Sequence, residues 1–273
     1  MSGALAPGFP SRAEPGAPLN QNSRSLETAI RAGRCALIGL GACVSIVLAL
    51  PSAASAEAPD LSGAVQLSDE RTFTRWAHSE QRAPIRALPI PNSWPITSLR
   101  YATEDGFPEV YPLLRRWTDP EGRTWLEVRI PGRPNGRIGW VEASALGPEH
   151  LVDTRLIVNR RHLSAALYRS GRRIWRSRIG IGKRDTPTPA GRFWIRELIK
   201  AEDPSGLYGP WAFGTSAYSR LSDWPRGGVI GIHGTNEPDL IPGRPSHGCI
   251  RVPNRAIRRL ARLMPIGTPV WIR

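Results

Sequence analysis

Residues 243–254 read GRPSHGCIRVPN, with Cys249 set between His247-Gly248 and Ile250-Arg251. A second imidazole, His233, stands near the end of the run GGVIGIHG at 227–234. Val229, Ile230 and Ile232 mark that run as a short buried strand, which presents His233 at its end. Gly248 lacks a Cβ and allows the sharp backbone that a nucleophile-bearing turn requires. A strand, a loop (NEPDLIPGRP, 236–245) and a reactive turn in succession predict a β-rich domain.

The flanking sequence agrees. NRAIRRLARLMP (254–265) is the one strong helix: Asn254 is placed to cap it, Ile257, Leu260, Leu263 and Met264 form one apolar stripe, and Pro265 stops it. TPVWIR (268–273) closes the chain as a strand. Upstream, TRLIVNRRHLSAALYRSGRRIWRSRIGIG (154–182) reads as two or three strands with turns at NRR and RSGRR, and GRFWIREL (191–198) as another. Residues 74–148 alternate short apolar runs with the turns EDG (104–106), DPEG (119–122) and PNG (134–136), which predicts a small β-barrel. Trp94, Trp117, Trp125 and Trp140 are its candidate core, and GPEH (147–150) marks a boundary before a second domain at 152–273. Residues 57–73 read as a polar linker and 1–30, rich in Pro, Gly and Ala, as a disordered tail. The fold class is mainly β, a small barrel followed by a β-rich domain with one short C-terminal helix.

Arg31 and Arg34 precede the apolar run CALIGLGACVSIVLAL (35–50) and the small-residue stretch PSAASA (51–56). That order predicts a signal peptide or an uncleaved membrane anchor over 31–56, hence export. The chain's other two cysteines, Cys35 and Cys43, lie inside this segment. Its removal leaves Cys249 as a single thiol in an oxidising compartment, which points to a reactive cysteine rather than a disulfide. The formal charge of +14 is almost all arginine, with lysine only at Lys183 and Lys200. It suits a solvated basic surface or an anionic polymer, and no nucleic-acid-binding motif accompanies it.

A free thiol, with a pKa of about 8.5, is only slightly ionised at neutral pH, so a cysteine nucleophile needs a base. His233, on a separate rigid strand, is the preferred proton acceptor and donor, expected to keep the sulfur ionised and reachable; His247 is the second candidate. The amides of Gly248 and Cys249 are candidate oxyanion donors. A catalytic zinc on His233, His247 and Cys249 is a third possibility, without an evident acidic base.

IHGT (232–235) followed by SHGCIRVPN (246–254) resembles the signature of the YkuD-type L,D-transpeptidases, a histidine followed by S/T-H-G-C-x-R-x-x-N. TPTPAGRFWI (186–195) and YGPWAFGTSAYS (208–219) are similar to segments upstream of it in that family. The spacer from His233 to Ser246 is slightly shorter than is usual there, which bears on the lid-like loop more than on the chemistry. The resemblance covers 152–273 and implies a β-sandwich that cross-links peptidoglycan stem peptides without a cofactor or metal. It implies Cys249 as nucleophile, His233 as proton carrier, the Gly234 carbonyl as the group orienting His233, and Ser246, His247 and Gly248 at the oxyanion site. It also implies that Ser246, Arg251, Asn254 and Tyr218 meet substrate, with Arg251 on a carboxylate or in a structural ion pair, and Trp211 as core or cleft wall. The partner would be the anionic cell wall of a bacterial envelope, in the periplasm or wall space. WLEVRI (125–130) with GRIGWVEASAL (136–146) resembles the end of a bacterial SH3-like domain, in which Trp140 packs before a short exit turn. The rival functions are an L,D-carboxypeptidase, with water resolving the same acyl-enzyme, and a non-catalytic wall-binding protein.

Overall fold

The computed structural model describes residues 58–273 except Trp224. The expected tail (1–30) and export or anchor segment (31–56) lie outside the described residues. No described helix is long and apolar enough to cross a membrane.

The N-terminal sheet has eight strands: β1 (Val65–Gln66), β2 (Thr74–Ala77), β3 (Pro84–Arg86), β4 (Pro95–Ser98), β5 (Tyr111–Thr118), β6 (Thr124–Arg129), β7 (Ile138–Glu142) and β8 (His150–Val152). They run β4-β3-β7-β6-β5-β2-β8, with β1 also paired to β5. The DPEG turn forms as read: the Asp119 carboxylate accepts the Arg123 amide at 2.7 Å, and Gly122 takes φ +83°. Trp117, Trp125 and Trp140 pack together in the core, but Trp94 is 79% exposed and is not a core residue. Two boundaries move. The expected linker contributes β1 and buries Leu67, Ser68 and Glu70, and the chain beyond GPE continues as β8, paired to β2.

The C-terminal sheet has ten strands: β9 (Thr154–Asn159), β10 (Ser164–Arg169), β11 (Arg172–Arg178), β12 (Gly180–Gly182), β13 (Gly191–Lys200), β14 (Trp211–Tyr218), β15 (Val229–His233), β16 (Gly243–Ser246), β17 (Ile250–Arg251) and β18 (Pro269–Ile272). The order is β11-β10-β9-β18-β13-β14-β15-β17-β12-β16. Period-2 burial along β9 puts Leu156 and Val158 in the core, with Arg155, Ile157 and Asn159 on the other face. The RSGRR turn is a two-residue hairpin in which Ser170 and Gly171 both have positive φ, the geometry that matches strand twist. Helix α1 (Asn254–Leu263) buries Ile257 and Leu260 against the sheet, with Met264 buried just beyond its end. Its cap position is Pro253 rather than Asn254, whose side chain is engaged elsewhere.

Both sheets lie within one compact unit. Trp76, Val110, Val152 and Trp194 form a shared apolar cluster, and Trp194 Nε1 donates to the Val110 carbonyl at 2.8 Å. Gly267 lies against the Trp76 indole where no side chain fits. Beside this cluster the wholly buried Arg196 donates to Glu109 Oε1 at 2.7 Å and to Glu104 Oε2 at 2.9 Å, so charge as well as apolar surface joins the sheets.

Candidate active site

The site arises from the parallel pairing of β15 with β17, in which Ile232 faces Ile250 and His233 faces Arg251. Cys249, one residue before β17, therefore comes level with Gly231. The Gly231 amide donates to Cys249 Sγ at 3.3 Å. Residues 231 and 233 project to the same face of the strand. A Cβ on Gly231 would stand 3.7 Å from His233 Cδ2 and 3.8 Å from Cys249 Sγ, so the missing side chain leaves room between imidazole and thiol. A pocket of about 60 Å³ opens there, lined by His233, His247 and Cys249 together with Tyr208, Ser219 and Arg251.

His233 is buried, and its Nδ1 lies 2.6 Å from the Gly234 carbonyl. A carbonyl only accepts, so Nδ1 carries the proton and Nε2 keeps its lone pair. Burial pushes the imidazole pKa down to about 4; the Gly234 bond opposes this and the positive Arg251 adds to it. Tyr208 meets the ring edge-on at 4.9 Å. Cys249 is half-buried. Burial pushes its thiol up, against the Gly231 amide and the positive Arg251 and Arg226. Both shifts favour the neutral thiol–imidazole pair. This corrects the expectation of a standing thiolate, because desolvation penalises both charged forms.

Two hydroxyls lock the turn that carries Cys249. Ser246 Oγ donates to the Cys249 carbonyl at 2.6 Å and accepts the Gly248 amide at 3.2 Å. Thr188 Oγ1 donates to the Gly248 carbonyl at 2.6 Å and accepts the Gly182 amide at 3.0 Å. Gly248 has φ +133°, and a Cβ there would meet Ile230 Cδ1 at 2.7 Å, so glycine is required. Two sequence expectations change accordingly. The Gly248 amide is already bonded inside the turn rather than open to an oxyanion, and the Ser246 hydroxyl shapes the turn rather than facing substrate.

Other expected substrate residues are also placed differently. Asn254 Oδ1 accepts the Thr235 amide at 2.8 Å and so holds the chain just after His233. Arg251 forms an ion pair with Glu237, the structural alternative of the sequence reading, and leaves its buried Nε without a partner. Tyr218 does not line the Cys249 pocket. Its buried hydroxyl joins Glu104, Arg100 and Arg196 between the sheets. Trp211 packs against the core cluster. His247 is exposed at the pocket rim. Among the described residues no group of three His, Cys, Asp or Glu is placed to hold a metal ion, which leaves the zinc possibility without a ligand set.

Sequence reasoning missed Gly231, Thr188 and Tyr208, and the part played by the N-terminal sheet. Asn135 clamps the Tyr218 backbone from both sides, at 3.0 Å from its amide and 2.9 Å from its carbonyl. Arg133 donates to the carbonyls of Ser219, Leu221 and Gly227, and Asp105 pairs with Arg226 at 2.9 Å. The N-terminal sheet thus holds the segment that carries Ser219 into the pocket wall.

A family model described as the L,D-transpeptidase catalytic domain, YkuD, matches residues 153–272. A Bacillus licheniformis protein named as the L,D-transpeptidase YkuD is 34% identical over 118 residues, 43% of this chain and 64% of that one. Its Bacillus subtilis namesake is 36% identical over 94 residues, 34% and 50% of the two chains. A second B. subtilis protein, named as the L,D-transpeptidase YqjB, is 30% identical over 127 residues, 44% of this chain and 71% of that one. The chain thus spans between half and about two thirds of the length of the first two relatives. Among solved structures, the catalytic domain of the Enterococcus faecium L,D-transpeptidase is 26% identical, with a TM-score of 0.33 over 45% of this chain and 99% of that one.

Proposed function

The chain belongs to the YkuD family of L,D-transpeptidase catalytic domains, and from that membership we propose that it cross-links peptidoglycan stem peptides through an acyl-enzyme on Cys249. The observation that carries the proposal is the protonation geometry of His233. Its Nδ1–H is held by Gly234, which leaves an uncharged ring lining the same pocket as the half-buried thiol of Cys249.

As Cys249 Sγ attacks the carbonyl of the third residue of a tetrapeptide stem, His233 Nε2 takes the thiol proton. The tetrahedral intermediate collapses, the bond to the terminal D-alanine breaks, and His233 returns the proton to the departing amine. A side-chain amine of a second stem then attacks the thioester. It gives a proton to His233, which restores the thiol as the new amide forms. With the Gly248 amide already bonded, the Cys249 amide is the oxyanion donor in this scheme, a contact worth roughly 3–4 kcal/mol in comparable sites. The neutral resting pair suits this cycle: charge develops only as the sulfur attacks, where the amides, Arg251 and Arg226 stabilise it.

Export through residues 31–56, action at the cell envelope and attraction to anionic wall polymers belong to the same proposal. So does the SH3-like character of residues 74–148, supported by the buried Trp140 on β7 and the short helical turn Ala143–Ala145 after it. Incubation with a tetrapeptide-stem muropeptide, with products resolved by mass spectrometry, tests the function. Cross-linked dimer with released D-alanine supports a transpeptidase. Free tripeptide alone would make the enzyme a carboxypeptidase, and unchanged substrate would overturn both.

A further inference from the structure

A second, larger cleft of about 610 Å³ opens on the other side of Ser219. Both parts of the molecule build it: Arg133 comes from the β6–β7 loop, Arg160 from the β9–β10 turn, and Arg220 from the end of β14. No carboxylate side chain lines it. The Arg133 guanidinium is bonded to backbone carbonyls, which leaves its charge without a counter-ion. Arg160 donates through Nη1 to the Thr188 carbonyl at 2.9 Å, while its buried Nε has no partner. Arg220 is exposed. The cleft is joined to the chemistry at two points. Ser219 lines both cavities, and Thr188, in the cleft wall, holds the Gly248 carbonyl of the nucleophile turn.

We propose that this cleft binds the terminal carboxylate of the acceptor stem peptide, with Arg160 and Arg220 as its ligands. The assignment rests on the stem-peptide reading above and specifies where the second peptide lies. The pocket at Cys249 has room for only a few atoms beyond the sulfur, so most of each peptide must lie outside it. The donor's terminal carboxylate is one residue from the scissile carbonyl and so falls beside Cys249. We assign the carboxylate on the far side of Ser219 to the other stem. Planar guanidinium groups suit such a ligand, because two parallel N–H bonds match the two oxygens of a carboxylate.

The test measures binding of a stem tripeptide, which carries the acceptor amine and a terminal carboxylate but no leaving residue. NMR titrations compare it with its C-terminal amide, on full-length Cys249→Ala protein and on the same protein with Arg220→Glu. Because no acylation is needed, the result is independent of whether the wild type turns out to be a transpeptidase. The expected result is about tenfold weaker binding on amidation, and about tenfold weaker binding of the free acid to the Arg220→Glu protein. The amide should bind the two proteins within about twofold of each other, and shifts should map to the amides of Thr188, Ala190 and Ser219. Equal binding of acid and amide would overturn the proposal, as would shifts confined to the surroundings of His233. Displacement of the peptide by an equal concentration of inorganic phosphate would also overturn it, showing a general anion site.

Discussion

In the N-terminal sheet every strand pairing is antiparallel, whereas the C-terminal sheet also contains the parallel pairs β9–β18, β12–β16 and β15–β17. Antiparallel neighbours can be joined by short turns, as β5–β6 and β6–β7 are, although β2–β8 and β3–β7 pair strands that are distant in sequence. A parallel pair needs a crossover, and the one between β15 and β17 sets His233 level with a turn that begins a dozen residues later. Burial has opposite consequences in the two regions. Between the sheets the fully buried Glu109 and Arg196 are each other's partner, and Arg100 adds a third contact. At the site His233 has no such counter-ion, Arg251 and Arg226 only partly offset the desolvation of Cys249, and burial favours the neutral form of both. Buried groups thus form an ion-paired strut in one place and a thiol and imidazole favoured in their neutral forms in the other.

Removing a partner from the strut should turn it into the unfavourable case. Glu109→Ala leaves Arg196 buried with Glu104 alone, and denaturant unfolding should show a loss of about 3–5 kcal/mol. A loss below about 1 kcal/mol would mean that this ion pair adds little to the joint between the sheets.

The pH dependence of stability separates the regions next. Unfolded His233 takes up a proton near pH 6.5, while the folded protein resists until about pH 4, so this group's contribution falls as pH drops through that window. Glu197 works in the other direction. Burial pushes it up to about 7, with a bond from Thr103 opposing and Asp105 adding, so between about pH 4.5 and 7 its contribution falls as pH rises. Wild-type stability should therefore be nearly level between pH 4.5 and 6.5. Glu197→Gln, which keeps an acceptor for Thr103, should unmask a rise of about 3 kcal/mol with pH between 4 and 6.5. A level profile in that variant would contradict the neutral buried imidazole.

Thr188→Val is the smallest perturbation. It deprives the buried Gly182 amide and Gly248 carbonyl of their shared partner and should cost about 1–2 kcal/mol. Acylation of Cys249 should slow about tenfold as the turn loosens. An unaltered rate would confine Thr188 to a structural role.

The segments that carry the candidate site are legible in the sequence because they are contiguous runs. GGVIGIHG reads as a strand ending in histidine, SHGC as a glycine turn, and RSGRR as a hairpin. What escaped reading depends on contacts between distant segments. Strand β14, WAFGTSAY, was seen only as a family-like segment, because small and polar residues buried on both faces leave no alternation to detect. The family resemblance assigns Ser246 and Asn254 to substrate and Gly248 to the oxyanion site. Only the fold shows their polar groups engaged with one another, with Cys249 or with Thr235. Tyr218 is expected at the substrate, since the glutamate and arginines that hold it lie more than 100 residues away or across the sheet. Trp94 shows the converse, an aromatic counted as core that the fold leaves in water.

The central claim is that the thiol of Cys249 is the atom that accepts the acyl group. Intact-protein mass spectrometry after brief exposure to a stem tetrapeptide tests it directly, on the wild type and on Cys249→Ala. The account predicts an added mass equal to the peptide less its terminal D-alanine, present in the first protein and absent from the second. The same added mass on Cys249→Ala would contradict it.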